Sequence, residues 1–464
     1  ANNPRVAGYD KNEPSTWLRY DDANNLYAWA MLQKLPARDF AWGDGSKWDT
    51  ARVLALDDEA ERGAFLEVDL EYPTSLHDSH NDFPLCPERM SIPREWLSPY
   101  AEGLLGENYS QCEKLVPNLL NKTRYWIHYR NLKFAIQEGL KLTAVHRVIE
   151  FEQVAWMRPY IEFNTAMRTA ATNEFEKDFY KLLNNAVFGK TMENLRERRD
   201  IQVLRVASTS WSKWVASPSY RDRKNITDGL VIAERARKNL TLCKPIYVGV
   251  AVLELSKLHM WNFWYRDLRP RYPNATLCYT DTDSLVYSIE SREEPDFSGG
   301  AGSKFDTSGL PTSNPLHSNA NKKVIGKFKD EAGGVAIAEF VGLRPKLYAL
   351  RLDGDEHAAR GDKDIKLETK RSKGTKRSVV ANEIKFKDYL DTLQTGESMR
   401  HSQMNFRTEC HRIYTTRTTK TSLSAFDSKR YLLKGGVHSL AYGHHAIPQT
   451  VSNEDFDKIL SGLI

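Results

Sequence analysis

The segment that most constrains this chain runs from Cys278 to Ser288, CYTDTDSLVYS. Two aspartates, Asp281 and Asp283, sit one residue apart inside an apolar and aromatic run. Leu277, Tyr279, Leu285 and Tyr287 read as strand, and Thr280 to Ser284 as a tight reversal, which gives a β-hairpin with acids at its tip. Carboxylates are poor strand and core residues, so such a tip asks for a counter-charge. A divalent cation is the usual one, because hard oxygen ligands suit Mg²⁺.

One hairpin cannot hold two metals, so another carboxylate must come from elsewhere. The best candidate is Asp22, where a strand that begins near Trp17 gives way to a turn and a short helix through Tyr27 and Trp29. The backbone N–H groups of that turn, at Asn24 and Asn25, could cradle phosphate oxygens. Alternation points Asp21 to the opposite face. Asp22 could equally be a helix N-cap; only its combination with Asp281 and Asp283 favours a ligand.

A second constellation lies in KLLNNAVFGK. Lys177, Lys181 and Asn185, spaced four apart, form one polar stripe continuing to Phe188 and Gly189. A cationic stripe on a rigid helix suits a triphosphate, and Gly189 lets a base pair approach the backbone. A solvated face is the plainer explanation. Arg168, on the preceding helix, could add a further cation.

The remaining text sets the frame. Val68, Leu70 and Tyr72 alternate with Glu67, Asp69 and Glu71, a half-exposed strand rather than a metal cluster. His77-Asp78-Ser79-His80 offers ligand types without matching partners and is discounted. Residues 125–153 read as strand, helix (ending at Gly139) and strand. Two long helices follow, 155–171 and 174–193, with a break near Asn173. Residues 194–243 look like a polar, irregular insertion, 248–268 like an apolar helix under the acidic hairpin, and 296–321 like a loop. Beyond Leu350 the composition turns basic and polar, a separate domain. Lys366, Lys370, Arg371, Lys373, Lys376 and Arg377 face a single acid, Glu368, as a solvated face or a duplex-gripping surface would.

With 464 residues, 41% of them hydrophobic and 27% charged, the chain has room for two to four domains. A net charge of +5 does not establish a nucleic-acid partner by itself. No apolar run is long enough for a membrane span, and the first residues lack a signal core. Cys86, Cys112, Cys243, Cys278 and Cys410 are scattered without CxxC spacing, which favours reduced thiols inside a cell and gives no zinc site.

Read together, the motifs resemble family B DNA polymerases. DANNLYAWAM is similar to the DxxSLYP motif, KLLNNAVFGK to Kx₃NSxYG, YTDTDS to the third motif, and RPKLY (Arg344 to Tyr348) to KxY. The text around them (EVDLEYP, HYRNLK, KPIYVG, LSAFDSKRYLL, HSLAYGHH) resembles the viral and Polinton-type, protein-primed branch, over essentially the whole chain. Ala28, Asn185-Ala186 and Phe188 depart mildly from the pattern.

The resemblance implies an α+β right hand with an antiparallel-sheet palm, helical fingers and a basic thumb. It divides the chain into palm (1–36, 121–153 and 244–350), an insertion (37–120), fingers (154–193), a second insertion (194–243) and thumb (351–464). One palm sheet is expected to hold the Asp22, Phe65–Tyr72, Tyr125–Gln153 and Tyr279 regions. The implied activity is template-directed DNA synthesis from dNTPs on a DNA primer-template, either protein-primed by a terminal protein or primed by nucleic acid, and strand-displacing. The alternatives are an idle remnant binding DNA, against which Asp22, Asp283 and Lys181 count, and a reverse transcriptase, against which the xDTDS tip counts.

By the same resemblance, Asp22 and Asp283 would ligate two Mg²⁺ ions, with Mn²⁺ as the substitute, about 3.5–4 Å apart, and Asp281 would assist. Lys181 and Lys177, with Arg168, would bind the triphosphate, Asn185 and Gly189 would line the nascent base pair, and Tyr27 would exclude a 2′-hydroxyl. Lys346 and Tyr348, with Lys373 and Gly374 in the basic run, would hold primer and template. Only 21 residues precede Asp22, so no proofreading exonuclease is expected here, and the missing Met suggests a piece of a longer polypeptide. The implied setting is viral or mobile, in a host nucleus or cytoplasm.

Overall fold

The computed structural model describes residues 1–105, 109–237, 239–298, 303–355, 358, 366–409 and 412–448. Cys410 and the end of the expected thumb lie outside them.

The Thr16–Ala23 strand is central to a mixed sheet. On one side it pairs antiparallel with Ser284–Glu290, which turns back into Thr276–Asp281. On the other lie Ile337–Arg344, Leu347–Leu352 and Glu368–Ser372, with short strands Phe328–Asp330 and Phe305–Asp306 beside them. Strand residues facing inward, Trp17, Leu285, Tyr287 and Ile289, meet Met260, Phe263, Trp264 and Leu268 of the apolar helix Ile246–Asn262 and its π-turn continuation Phe263–Leu268. From Ala251 onward that helix carries apolar residues all round and most are buried, whereas Ile246 and Val250 in its first turns stay exposed. Trp264 is fully buried, and truncating such a side chain costs about 3–5 kcal/mol.

The expected single palm sheet is two sheets. Arg62–Glu71 and Lys122–His128 belong with Leu35–Gly43 and Lys141–Val154 in a separate four-stranded sheet, backed by the helix Tyr129–Gln137. Nor is the 62–71 strand half-exposed. It lies between two neighbours, and Glu67 is buried under a two-pronged contact from Arg147 at 2.6 and 2.9 Å, which holds its carboxyl below the usual range.

The 194–243 stretch is not irregular. Strands Arg199–Arg205, Leu230–Ala236 and Tyr220–Thr227 form a three-stranded sheet, and the helix Thr209–Val215 drops Trp211 and Trp214 onto Leu204, Val231 and Ala233. The two long helices are Arg158–Ala170 and Glu174–Thr191, the second capped by the Asn173 side chain.

Residues past Leu350 share cores with earlier ones. Tyr389 of the helix Phe386–Thr395 packs with Val341, Leu347 and Leu423, while Leu432 and Tyr442 pack with Ile92, Trp96 and Leu97. Two compact units result: Ala1–Glu162 with Ala251–Arg400 and the described residues from Thr421, and Phe163–Val250 with His401–Lys420. No described helix is long and apolar enough to cross a membrane.

Candidate active site

The acidic hairpin turns in two residues, Thr282 and Asp283, between strands ending at Asp281 and starting at Ser284. Thr282 takes a left-handed conformation (φ 61°), a strained choice for a β-branched residue. The tip rests on the first strand. Asp22 lies opposite Ser284, and the Ala23 N–H donates to the Asp283 carbonyl at 2.7 Å. Acids 261 positions apart in sequence are thereby neighbours.

Asp21 lies on the other face, as alternation requires. It is fully buried, bonded to Arg19 at 2.8 Å and to the Tyr287 hydroxyl, with Asp330 3.5 Å from the same guanidinium. Burial pushes the Asp21 carboxyl up, against the pull of Arg19. This buried network was not visible in the sequence. It locks the strand's register, and a one-residue slip would exchange Asp21 for Asp22.

After the strand the chain enters the helix Leu26–Met31, whose N-cap is Asn25 at φ 48°. Asp22 is therefore not the cap. The Asn24 amide donates to the Lys327 carbonyl at 2.8 Å, so it is not open to a phosphate as expected. Beneath the helix, Trp29 packs against His259 with ring centroids 4.1 Å apart, and the His259 Nε2–H donates to the Gly326 carbonyl at 2.7 Å. Gly326 sits at φ 81°, where a Cβ would come within 2.2 Å of Trp29 Cδ1. Half-buried Tyr27 feels both Asp283 and Asp281; burial first, then Asp283, pushes its phenol up.

Lys346 adopts φ 63° and pairs with Asp281 at 2.8 Å. Its N–H donates to the Tyr279 hydroxyl at 3.0 Å, and its carbonyl accepts from the Lys373 N–H at 3.1 Å. Tyr348 packs against Tyr279 with ring centroids 4.7 Å apart and planes tilted by 46°, and shares a hydrogen bond with Tyr20 at 3.1 Å. The structure thus gathers Lys346, Tyr348, Lys373 and Gly374 (φ 96°) beside the hairpin, and adds Tyr20, which no motif marked.

The residues fit a hard divalent cation. The tip sets two carboxylates against Lys346, and burial, with Asp281 adding to it, pushes the Asp283 carboxyl up, a shift that a bound cation would offset. Asp22, Asp281 and Asp283 do not, as three, bring oxygens within 4.8 Å of one another; among the described residues only Asp78, His444 and His445 do. His77-Asp78-Ser79-His80 therefore has partners after all, and they lie more than 360 residues away.

In the other unit, Lys181, Asn185 and Gly189 are exposed along one face of the helix Glu174–Thr191. Lys177 pairs with Glu174 at 2.7 Å. Arg168, half-buried, is on the helix before.

A family model described as DNA polymerase type B, organellar and viral, matches residues 11–267, more than half of the chain. No curated protein sequence matches. Among solved structures, Phi29 DNA polymerase in an orthorhombic crystal form is 14% identical with a TM-score of 0.50, covering 91% of this chain and 64% of that one. The ternary complex of Phi29 DNA polymerase with primer-template DNA and incoming nucleotide substrates has the same identity and score, covering 89% and 59%. This chain spans less than two thirds of those polymerases, and the likeness is one of fold: an α+β right hand.

Proposed function

The chain belongs to the organellar and viral type B DNA polymerases, and we propose that it performs template-directed DNA synthesis, transferring dNTP-derived nucleotides to a primer hydroxyl. The observation that carries this reading is the docking of the hairpin tip on the first strand, which sets Asp22 beside Asp283. In the reaction the primer oxygen bonds to the α-phosphorus as the bond to pyrophosphate breaks.

Asp22 and Asp283 would hold two divalent cations, Mg²⁺ or Mn²⁺, whose charge would activate the primer hydroxyl and neutralise the departing pyrophosphate. Asp281, paired with Lys346, sets the lysine's position at the primer side. Lys346, Tyr348, Lys373 and Gly374 would grip the primer terminus and the backbone near it. Lys181 and Lys177, with Arg168, would bind the triphosphate, while Asn185 and Gly189 line the base pair. Tyr27 would lie under the deoxyribose.

Priming by a terminal protein and displacement of a downstream strand are the finer parts of the proposal. The extra elements at 37–120 and 194–243, the second a sheet with its own core, support them. The test is dNTP incorporation on a primed template with Mg²⁺, comparing wild type with Asp22→Asn and Asp283→Asn. Extension lost in both variants, with DNA binding kept, is the expected result. Absence of extension by a wild type that binds DNA would sink the reading. Extension ahead of a blocking strand tests displacement separately, and stalling at the duplex would remove it.

A further inference from the structure

Away from the acidic hairpin, four imidazoles and a carboxylate meet where the short helix His77–His80 receives the loop Gly443–Ala446. His444 Nε2 lies 3.2 Å from Asp78 Oδ1, and ligand atoms of Asp78, His444 and His445 all fall within 4.8 Å of one another. The rings of His444 and His445 stack at 4.5 Å, and His77 stacks on His445 at 5.6 Å. The His445 N–H donates to His77 Nδ1 at 2.9 Å. That bond puts the His77 proton on Nε2, which is buried without a hydrogen-bond partner in a side chain 4% exposed. His80, alongside, is tied to the Tyr72 hydroxyl at 2.8 Å.

We propose that Asp78, His444 and His445 form a transition-metal site of the zinc class, separate from the catalytic acids, which fastens the 443–446 loop to the 77–80 helix. The donor chemistry selects the metal. Two imidazoles and one carboxylate suit zinc and its neighbours, whereas Mg²⁺ asks for an all-oxygen set. Zinc binds nitrogen and carboxylate oxygen at about 2.0–2.2 Å, so the edge of its tetrahedron is about 3.3–3.6 Å. The observed Asp78–His444 separation of 3.2 Å is close to such an edge. Three protein ligands leave the fourth position to water.

Asp78 is mostly exposed and His445 exposed, so the metal has an open approach. Ligation through His444 Nε2 moves that ring's proton to Nδ1, where it displaces the 3.1 Å bond from the Ala446 amide. One weak hydrogen bond is a small loss beside coordination. His77, which does not ligate, holds the backbone of His445 in place.

The test is cobalt titration of the full, untagged chain after chelation, with excess Mg²⁺ present to occupy the hairpin acids. Expected is one Co²⁺ per chain, giving the visible bands of a tetrahedral nitrogen-and-oxygen site and displaced by Zn²⁺. Asp78→Asn and His445→Gln, both at exposed positions, should each weaken binding at least about tenfold while leaving the metal-free melting temperature unchanged. Asp283→Asn should leave the bands intact. The proposal is overturned by absence of the bands in wild type, by bands undiminished in both site variants, or by bands lost in Asp283→Asn.

Discussion

At Asp283 the needs of the fold and of the proposed reaction oppose each other. Burial pushes its carboxyl up from the ordinary carboxylate value, so without a metal the fold disfavours the charge that ligation needs. A raised acid costs stability above its folded pKa, and that cost fades as pH falls through it. Asp283→Asn should therefore raise the melting temperature in EDTA at pH 7, with the gain shrinking as pH falls toward the ordinary carboxylate value. Mg²⁺ should stabilise wild type but not this variant. Extension should fall by about 10³-fold or more, since losing metal charge removes several kcal/mol of transition-state stabilisation. A variant that melts like wild type with Mg²⁺ and still extends primers would remove Asp283 from the site. Tyr27, facing the same acids, makes the second residue-scale prediction: Tyr27→Val should admit ribonucleotides, measured as the ratio of rNTP to dNTP incorporation, and an unchanged ratio would end its assignment as the sugar gate.

Among elements, the 26–31 helix depends on one glycine. At φ 81°, with Trp29 against it, Gly326→Ala meets both backbone strain and a side-chain clash. A loss of about 2–3 kcal/mol in denaturant unfolding is expected, with extension falling further than stability alone explains, because the helix that carries Tyr27 must shift. The hairpin, the first strand and the paired long helices were legible because their signals are local: alternation, a tight turn, Asn173 before a helix. The separate sheet at 35–154 was not, because strand pairing is a long-range choice that alternation does not record. The 199–236 sheet was hidden by its own surface, where charged residues interrupt strands whose buried residues are few. Asp78 and His444 each looked idle alone, since nothing in either local sequence names a partner so far along the chain.

Across the whole molecule, acid should act through histidines held neutral. Burial lowers His128 to about 3, and His80 and His259 to about 4, from 6.5. Because the unfolded chain takes up these protons first, stability is lost as pH falls from 6.5 toward 4. Each of the latter two contributes about 2 kcal/mol of loss at pH 5. Urea midpoints at pH 7 and pH 5 measure the slope, and His259→Leu should flatten it.

The Asn118–Tyr442 bridge and the hydrogen bonds from Arg430 and Ala441 to Asn81 have a consequence for how the chain is made. A ribosome delivers residues 77–120 long before 430–445 exist. During that interval Ile92, Trp96 and Leu97 lack the Leu432 and Tyr442 that cover them. The nascent chain therefore carries an open apolar seam through most of its synthesis, a surface on which holding chaperones can act, and the fold closes only when its late segment returns to its early one.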